Sequence, residues 1–171
     1  MMKAHFVTLA KYNKWANNRL YRMAGALPDE AYRKNAGAYF GSLHGTLNHL
    51  LTADRIWMRR LTGTGEHPDK LNATVCDDLQ SLHTAREAED GRIVSFVDAL
   101  EEGDFAKQWD YQTLNGMPQR QPLGEILAHL FNHQTHHRGQ AHMILTVLGV
   151  TEPDPLDLLI MFRTRDLSGI R

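Results

Sequence analysis

The feature that most constrains this chain is a histidine-rich stretch, LAHLFNHQTHHRGQAHMIL, at residues 127–145. Its leucine and isoleucine residues recur every three or four positions, and this spacing predicts an amphipathic helix with one buried face. The stretch also holds five of the chain's ten histidines, namely His129, His133, His136, His137 and His142. A helix that buries this apolar face must place some of these imidazoles at or near the protein interior.

Three other long segments share the helical periodicity of that stretch. We predict the four helices over residues 4–26, 42–62, 77–102 and 122–148. Their ends carry start and stop signals, such as an N-cap at Ser42 and a terminating glycine at Gly149. Four long helices with short or moderate connections predict an all-α fold, a four-helix bundle with antiparallel packing.

Smaller elements are expected between and after the long helices. A short helical turn should follow Pro28, and a short final helix should lie within TEPDPLDLLIMFRTR, residues 151–165. Alternating aromatic residues lead into the turn dipeptide Asn115-Gly116, which favours a small β-hairpin or an extended loop. Because no repeat or low-complexity linker divides the chain, we treat residues 1–171 as a single domain.

The charge balance and hydropathy exclude several classes of partner. Lys and Arg total 19 against 20 Asp and Glu, whereas a nucleic-acid-binding domain usually has a basic face. No segment approaches the roughly 18 apolar residues of a membrane helix, and the N-terminus lacks the apolar region of a signal peptide. The lone cysteine, Cys76, fits a reducing compartment. We therefore expect a cytoplasmic protein with no nucleic-acid or membrane partner.

Two histidines of the fourth helix are placed for metal binding. His133 and His137 are four residues apart and so lie on one helix face, where both imidazoles can bind one ion. His137 falls on the apolar stripe and His133 lies beside it. His129 and His133 form a competing pair with the same spacing, whereas His136 and His142 fall off the stripe and should meet solvent.

A third ligand has to come from another helix. The segment 42–62 offers His49, midway along the helix at the border of its apolar stripe, and His44 near the helix start. The position of His49 favours it over His44. Spacing alone also allows satisfied core histidines or a surface pair. A protease motif of the HEXXH type is excluded, because Gln134 follows His133.

Polar residues on or beside the apolar stripes need separate explanations. Asp54 interrupts the stripe of the 42–62 helix, and a buried carboxylate needs partners. A structural hydrogen bond between helices is the favoured interpretation, and an anchor for Arg138 or for a metal-bound histidine is the alternative. Arg138 and Gln140 either face a substrate or tie helices together. Gly139 lacks a side chain and would let a neighbouring helix approach.

Five segments of the chain carry a family resemblance. The two most specific are LFNHQTHHRGQAHMIL at 130–145 and SLHGTLNHLLTADRIWMRRL at 42–61. The other three are YNKWANNRLY at 12–21, LPDEAYRKNAGAYFGS at 27–42 and NGMPQRQPLGEIL at 115–127. Together they resemble the DinB / YfiT-like family of small helical bacterial proteins, over nearly the whole chain. The family name refers to DNA-damage-inducible expression and does not imply a DNA polymerase.

The resemblance implies a fold and a metal site. The family fold is an up-down-down-up four-helix bundle, often a homodimer, in which three histidines bind a divalent metal ion, commonly zinc or nickel. Matched motif by motif, the ligands in this chain are His49 in LNHLL and His133 and His137 in NHQTHH. No ligand position of the family is missing here.

The resemblance also implies a chemistry. Members of the wider superfamily act as thiol-dependent transferases or isomerases with low-molecular-weight thiols such as bacillithiol or mycothiol, and glutathione is a further candidate. A metal-dependent thiol S-transferase acting on a small-molecule substrate is therefore the leading hypothesis. A metal-dependent hydrolase is the first alternative. The second is a non-enzymatic stress-response protein whose metal only stabilises the bundle, with a fourth ligand from Asp54, His44 or His129.

Overall fold

The computed structural model describes the backbone of residues 1–168 and the side chains of residues 1–164. The four long helices are α1 (Met2–Gly25), α3 (Leu43–Thr62), α4 (Leu79–Ala99) and α5 (Leu123–Val147). The two short helices are α2 (Asp29–Arg33) and α6 (Leu158–Ser168). A 3-10 helix (Glu102–Ala106) precedes an antiparallel hairpin of β1 (Gln108–Gln112) and β2 (Pro118–Pro122). The predicted four-helix bundle with a small hairpin is confirmed.

The helix ends have local causes. Ser42 caps α3, its hydroxyl accepting a hydrogen bond from the Gly45 amide at 3.1 Å, as predicted. Asp78 caps α4 in the same way by accepting from the Ser81 amide at 2.8 Å, so α4 begins two residues later than predicted. Leu100 adopts an extended conformation, so the helix also ends before residue 102. Gly149, with a φ of 95°, follows α5.

Two apolar clusters, one at each end of the bundle, define the helix directions. One cluster joins the end of α1, the starts of α3 and α4 and the end of α5, through Leu20, Leu47, Leu82 and Ile144. The other joins the opposite ends of the same helices, through Phe6, Met58, Ile93 and Leu127. Hence α1 and α5 run in one direction and α3 and α4 in the other. This is the up-down-down-up order that the family resemblance implies.

The parallel course of α3 and α4 corrects the simplest expectation from the connections. The connections predicted an antiparallel bundle, but α4 begins at the same end of the bundle as α3. Residues 63–78 therefore have to run back along the bundle before α4 can begin. We call residues 63–78 the return segment, and it passes beside the histidines of α3.

A buried charged layer separates the two apolar clusters. Asp54 and Arg86 are each 1% exposed. The Arg86 guanidinium lies 2.8 Å from Asp54 Oδ2 and 3.0 Å from Asp90 Oδ1, and Gln134 Nε2 donates to Asp54 Oδ1 at 2.6 Å. The favoured interpretation of Asp54 thus fits the structure, because its carboxylate links α3 to α4 and α5. Its partners are Arg86 and Gln134 and not, as the alternative had it, Arg138 or a metal-binding histidine.

Arg138 completes this layer on the side of α1. It is buried, and it donates to the side-chain oxygens of Asn13 and Asn17, whose amide groups in turn donate to Asp90 at 3.1 Å and 3.0 Å. The layer therefore connects all four long helices. Of the two roles predicted for Arg138, the one that the contacts support is tying helices together.

Within residues 1–168, none of the helices combines the length and the apolar character that crossing a bilayer requires.

Candidate metal centre

Three histidines from two antiparallel helices face one another beside the return segment. His49 Nε2 lies 3.3 Å from His133 Nε2 and 3.2 Å from His137 Nε2. One ring nitrogen from each histidine lies within 4.8 Å of the others. Two nitrogens bound to a tetrahedral zinc ion at about 2.0–2.1 Å are roughly 3.3 Å apart. The cluster, which we call the three-histidine cluster, could therefore hold one metal ion without movement of either helix.

The hydrogen bonds behind the rings fix which nitrogen is free. His49 Nδ1 donates to the Leu71 carbonyl at 2.7 Å, and His137 Nδ1 donates to Gln140 Oε1 at 2.7 Å. A proton on Nδ1 leaves the Nε2 atom of a neutral imidazole with a lone pair. The facing Nε2 atoms of His49 and His137 then both accept, so they cannot hydrogen-bond to each other. A bound cation satisfies both, and the Nδ1 contacts are the support that metal-binding histidines usually have.

The environment keeps these imidazoles neutral, which metal binding requires. Burial lowers the pKa of His49 to about 4, although its hydrogen bond to Leu71 opposes the shift. Burial also lowers the pKa of His133 to about 3, with smaller contributions from His137 and His49. The pKa of His137 is lowered as well, again mainly by burial.

Phe40 is a contact of the cluster that sequence patterns did not indicate. Its ring stacks on His49 with a centroid distance of 3.8 Å and an angle of 17° between the planes, and it meets His137 edge-on at 5.6 Å. Gly45 makes this possible, because a Cβ atom there would lie only 2.1 Å from the Phe40 carbonyl oxygen. Phe40, which can approach α3 closely because residue 45 is glycine, therefore packs against the His49 ring from outside the helix.

The return segment supplies the opposite support. Asn48 Oδ1 accepts from the backbone amides of Val75 and Cys76 at 2.8 Å and 3.1 Å, and Thr52 Oγ1 donates to the Ala73 carbonyl at 3.3 Å. These bonds fix the segment against α3. As a result the Leu71 carbonyl is held in position for the His49 ring.

The three candidates for a fourth ligand have other partners. Asp54 is paired in the buried charged layer. The half-buried His44 ring has its Nδ1 atom 3.1 Å from the Tyr32 hydroxyl. The exposed His129 ring packs against Trp57 at a centroid distance of 5.3 Å. The group of metal-competent side chains found among the described residues is limited to the three histidines.

Of the other predictions for residues of α5, some are confirmed and some are wrong. His136 is exposed as predicted, but His142 is half-buried, with Nε2 3.0 Å from the Asp154 carbonyl oxygen. Gly139 does not admit a neighbouring helix, because no atom lies within 4 Å of where its Cβ would be. Gln140, whose role the sequence left open, supports His137. The three-residue spacing from His137 to Gln140 was the available signal for that contact.

Comparisons with known proteins identify the family and the fold. The DinB family model matches residues 1–163. Protein DinB of Bacillus subtilis (strain 168) is 26% identical over 167 residues, which cover 92% of this chain and 94% of that protein. The crystal structure of a DinB-like protein from Bacillus cereus ATCC 10987 has the same fold, with a TM-score of 0.59, 23% identity, and coverage of 82% of this chain and 90% of that one. The chain belongs to the DinB family.

Proposed function

We propose that this protein is a metal-dependent enzyme that transfers a low-molecular-weight thiol to a small-molecule electrophile, with His49, His133 and His137 as the metal ligands. The observation that carries the proposal is the set of facing Nε2 atoms at 3.2 Å and 3.3 Å, with Nδ1 of two rings committed to other acceptors. Three neutral imidazoles suit zinc or nickel, which are the metals we propose.

An open coordination position favours catalysis over a purely structural role. Catalytic zinc sites keep three protein ligands and leave a fourth position free, whereas structural sites use four. Asp54 and His44 are engaged elsewhere, and His129, whose ring lies 5.8 Å from that of His133, is not among the histidines whose ligand atoms converge. A divalent ion in such a site lowers the pKa of a bound thiol, so that it is held as the more nucleophilic thiolate.

The protein's own part in the reaction is to orient the metal ligands and shield them. Leu71, Gln140 and Phe40 fix the His49 and His137 rings, and the return segment covers one side of the cluster. In the transfer, the thiol loses its S–H proton to solvent and a new sulfur–carbon bond forms as the bond from that carbon to the leaving group breaks.

Elemental analysis of purified protein tests the metal site. We expect about one zinc or nickel ion per chain in wild type, and loss of that metal in His49→Ala, His133→Ala and His137→Ala variants that remain folded. His67→Ala is the matched control, because His67 is an exposed histidine of the return segment. Metal-free wild-type protein after incubation with either ion would contradict the proposal.

Turnover assays then separate the possible reactions. We expect metal-loaded protein to consume 1-chloro-2,4-dinitrobenzene only when glutathione, bacillithiol or mycothiol is present. Hydrolysis of 4-nitrophenyl acetate without a thiol would instead indicate a hydrolase. A metal ion with four protein ligands in X-ray absorption spectra, together with no turnover, would indicate a structural metal.

A further inference from the structure

A groove with a volume of about 650 Å³ is lined by Phe40, the residue whose ring stacks on His49. This volume is in the range of small-molecule pockets. Phe40, His44 and Asn48 form one side of the groove, and residues 71–74 of the return segment form the other. The groove and the three-histidine cluster are therefore adjacent, because Phe40 and Leu71 line the groove and also contact His49.

The groove is built rather than incidental. Its first side depends on Gly45, the residue at which any side chain would collide with the Phe40 carbonyl. Its second side is tied to α3 by Asn48, Thr52 and His49, through the bonds to the backbone of the return segment. Both walls therefore belong to the same framework that positions the metal ligands, so the groove does not depend on a bound molecule for its shape.

The chemistry of the walls restricts what can bind. None of the ten lining side chains, all within the described part of the chain, carries a formal charge. Burial lowers the pKa of His44, so this ring also stays neutral near pH 7. Tyr39 and Phe40, which contact each other edge-on at 4.9 Å, offer aromatic surface, and Asn72 and Thr74 offer neutral polar groups. An anion would therefore find no charged partner among the lining residues, which favours an uncharged ligand.

We propose that this groove binds the uncharged, aromatic part of the electrophilic substrate, while the thiol reaches the three-histidine cluster from another side. This inference rests on the proposed function, because it assigns one of the two substrates of that reaction to the groove. A ligand in the groove packs against Phe40 and so lies next to the metal ligand His49.

Benzamide and benzoate are suitable probes, because they have nearly the same shape and differ in charge. We expect benzamide to cause saturable shifts of the backbone amide signals of Asn72 and Thr74 in 15N–1H NMR spectra of zinc-loaded protein. Benzoate should bind at least about tenfold more weakly, because nothing in the groove compensates its charge. Equal binding of the two probes, or shifts confined to other parts of the protein, would overturn the inference.

A substitution at a lining residue tests whether benzamide binds in the groove. Thr74→Glu should weaken benzamide binding, because a longer, hydrated side chain replaces a small neutral one at a lining position of the groove. Thr151→Glu is the matched control, an exposed threonine outside the groove, and should leave the affinity unchanged. Both positions are exposed, so both variants should fold. Unchanged affinity in Thr74→Glu would place the probe elsewhere and refute the assignment.

Paramagnetic relaxation tests the distance to the proposed metal. Benzamide protons should relax faster with cobalt-loaded protein than with zinc-loaded protein, and His137→Ala, which lines no part of the groove, should abolish the difference while retaining benzamide binding. Equal relaxation with both metals would overturn the inference while leaving the proposed metal site intact. Benzamide binding by a wild-type protein that takes up no metal would refute the proposed function and leave the groove as a binding site of another kind.

Discussion

The three-histidine cluster and the buried charged layer are polar assemblies of the same helices α3 and α5, yet they differ in whether complementary groups face each other. In the charged layer, Asp54 and Asp90 share the Arg86 guanidinium, and amide groups from α1 and α5 donate to the two carboxylates. In the cluster, lone pairs of His49 and His137 face each other with no proton between them. The buried charges of this protein therefore belong to the layer that joins the helices, whereas the unshared lone pairs belong to the candidate metal site.

The largest effect that separates the two regions should come from Asp54→Asn. The variant breaks one of the two buried ion pairs of Arg86 and leaves that guanidinium to Asp90 alone, so we expect the free energy of unfolding to fall by about 3 kcal/mol. Metal content of the folded fraction should not change, because Asp54 has no contact with the three histidines. Urea unfolding and elemental analysis of the same preparation measure both quantities.

Asp98→Asn is the control for that variant, because Asp98 is an exposed aspartate of α4. Its free energy of unfolding should stay within about 0.5 kcal/mol of wild type. If Asp54→Asn folded normally but lost its metal, the distinction between scaffold and site would fail.

Acid should destabilise the metal-free protein through the cluster. The pKa values of His49 and His133 are lowered to about 4 and about 3 in the folded protein, whereas an unfolded histidine has a pKa of about 6.5. Between these values the unfolded chain binds more protons than the folded one, so the free energy of unfolding should fall as pH falls from about 6.5 towards 4. Above about pH 6.5 this contribution is constant.

Variants of single histidines test whether this dependence of the unfolding free energy on pH comes from the cluster. Urea unfolding of metal-free His133→Gln should give a shallower dependence on pH over that window than wild type. His67→Gln should keep the wild-type slope, because this side chain is exposed. Asp54 opposes the trend between about pH 4 and 6, since burial raises its pKa to about 6, but it does so equally in all three proteins. An unchanged slope in His133→Gln would mean that the cluster is protonated as easily as an unfolded histidine.

Gln140→Leu should produce a smaller loss, confined to the metal. Removing a hydrogen bond that supports a metal-binding histidine typically lowers affinity by about 10-fold to 100-fold. Competition with a chromophoric chelator measures this change. Gln80→Leu, at an exposed position of α4, should keep wild-type affinity. Unchanged affinity in Gln140→Leu would show that helix packing alone orients His137.

The sequence was informative wherever a periodic pattern carried the signal. The four helices, the cap at Ser42 and the turn at Asn115-Gly116 follow from local rules, and His49, His133 and His137 were selected by helical spacing and inward position. Spacing works for these residues because a rigid helix converts sequence separation into direction.

Contacts made by irregular segments could not be predicted in the same way. Phe40 and Leu71 lie outside the long helices, so no period relates them to His49, and their positions follow from the close approach at Gly45 and from the course of the return segment. The Asp54–Arg86 pair was also missed. Hydrophobic periodicity marked Asp54 as an exception in its stripe, but it could not indicate which side chain on which helix would compensate the charge.

The smallest expected effect tests whether the two regions are independent along α5. Gly139 lies between Arg138 of the charged layer and Gln140 of the cluster, and no atom lies within 4 Å of the position of an added Cβ. Gly139→Ala should therefore raise the free energy of unfolding by about 0.5–1 kcal/mol, because alanine is the better helix former, and leave metal affinity unchanged. Gly124→Ala on the same helix should have the opposite sign, since its Cβ would lie 2.8 Å from Met2 Cε and 3.1 Å from the Phe105 carbonyl oxygen. Chelator competition measures the metal affinity of both variants, and urea unfolding measures their free energy of unfolding. Altered metal affinity in Gly139→Ala would mean that the charged layer and the cluster are coupled through the α5 backbone.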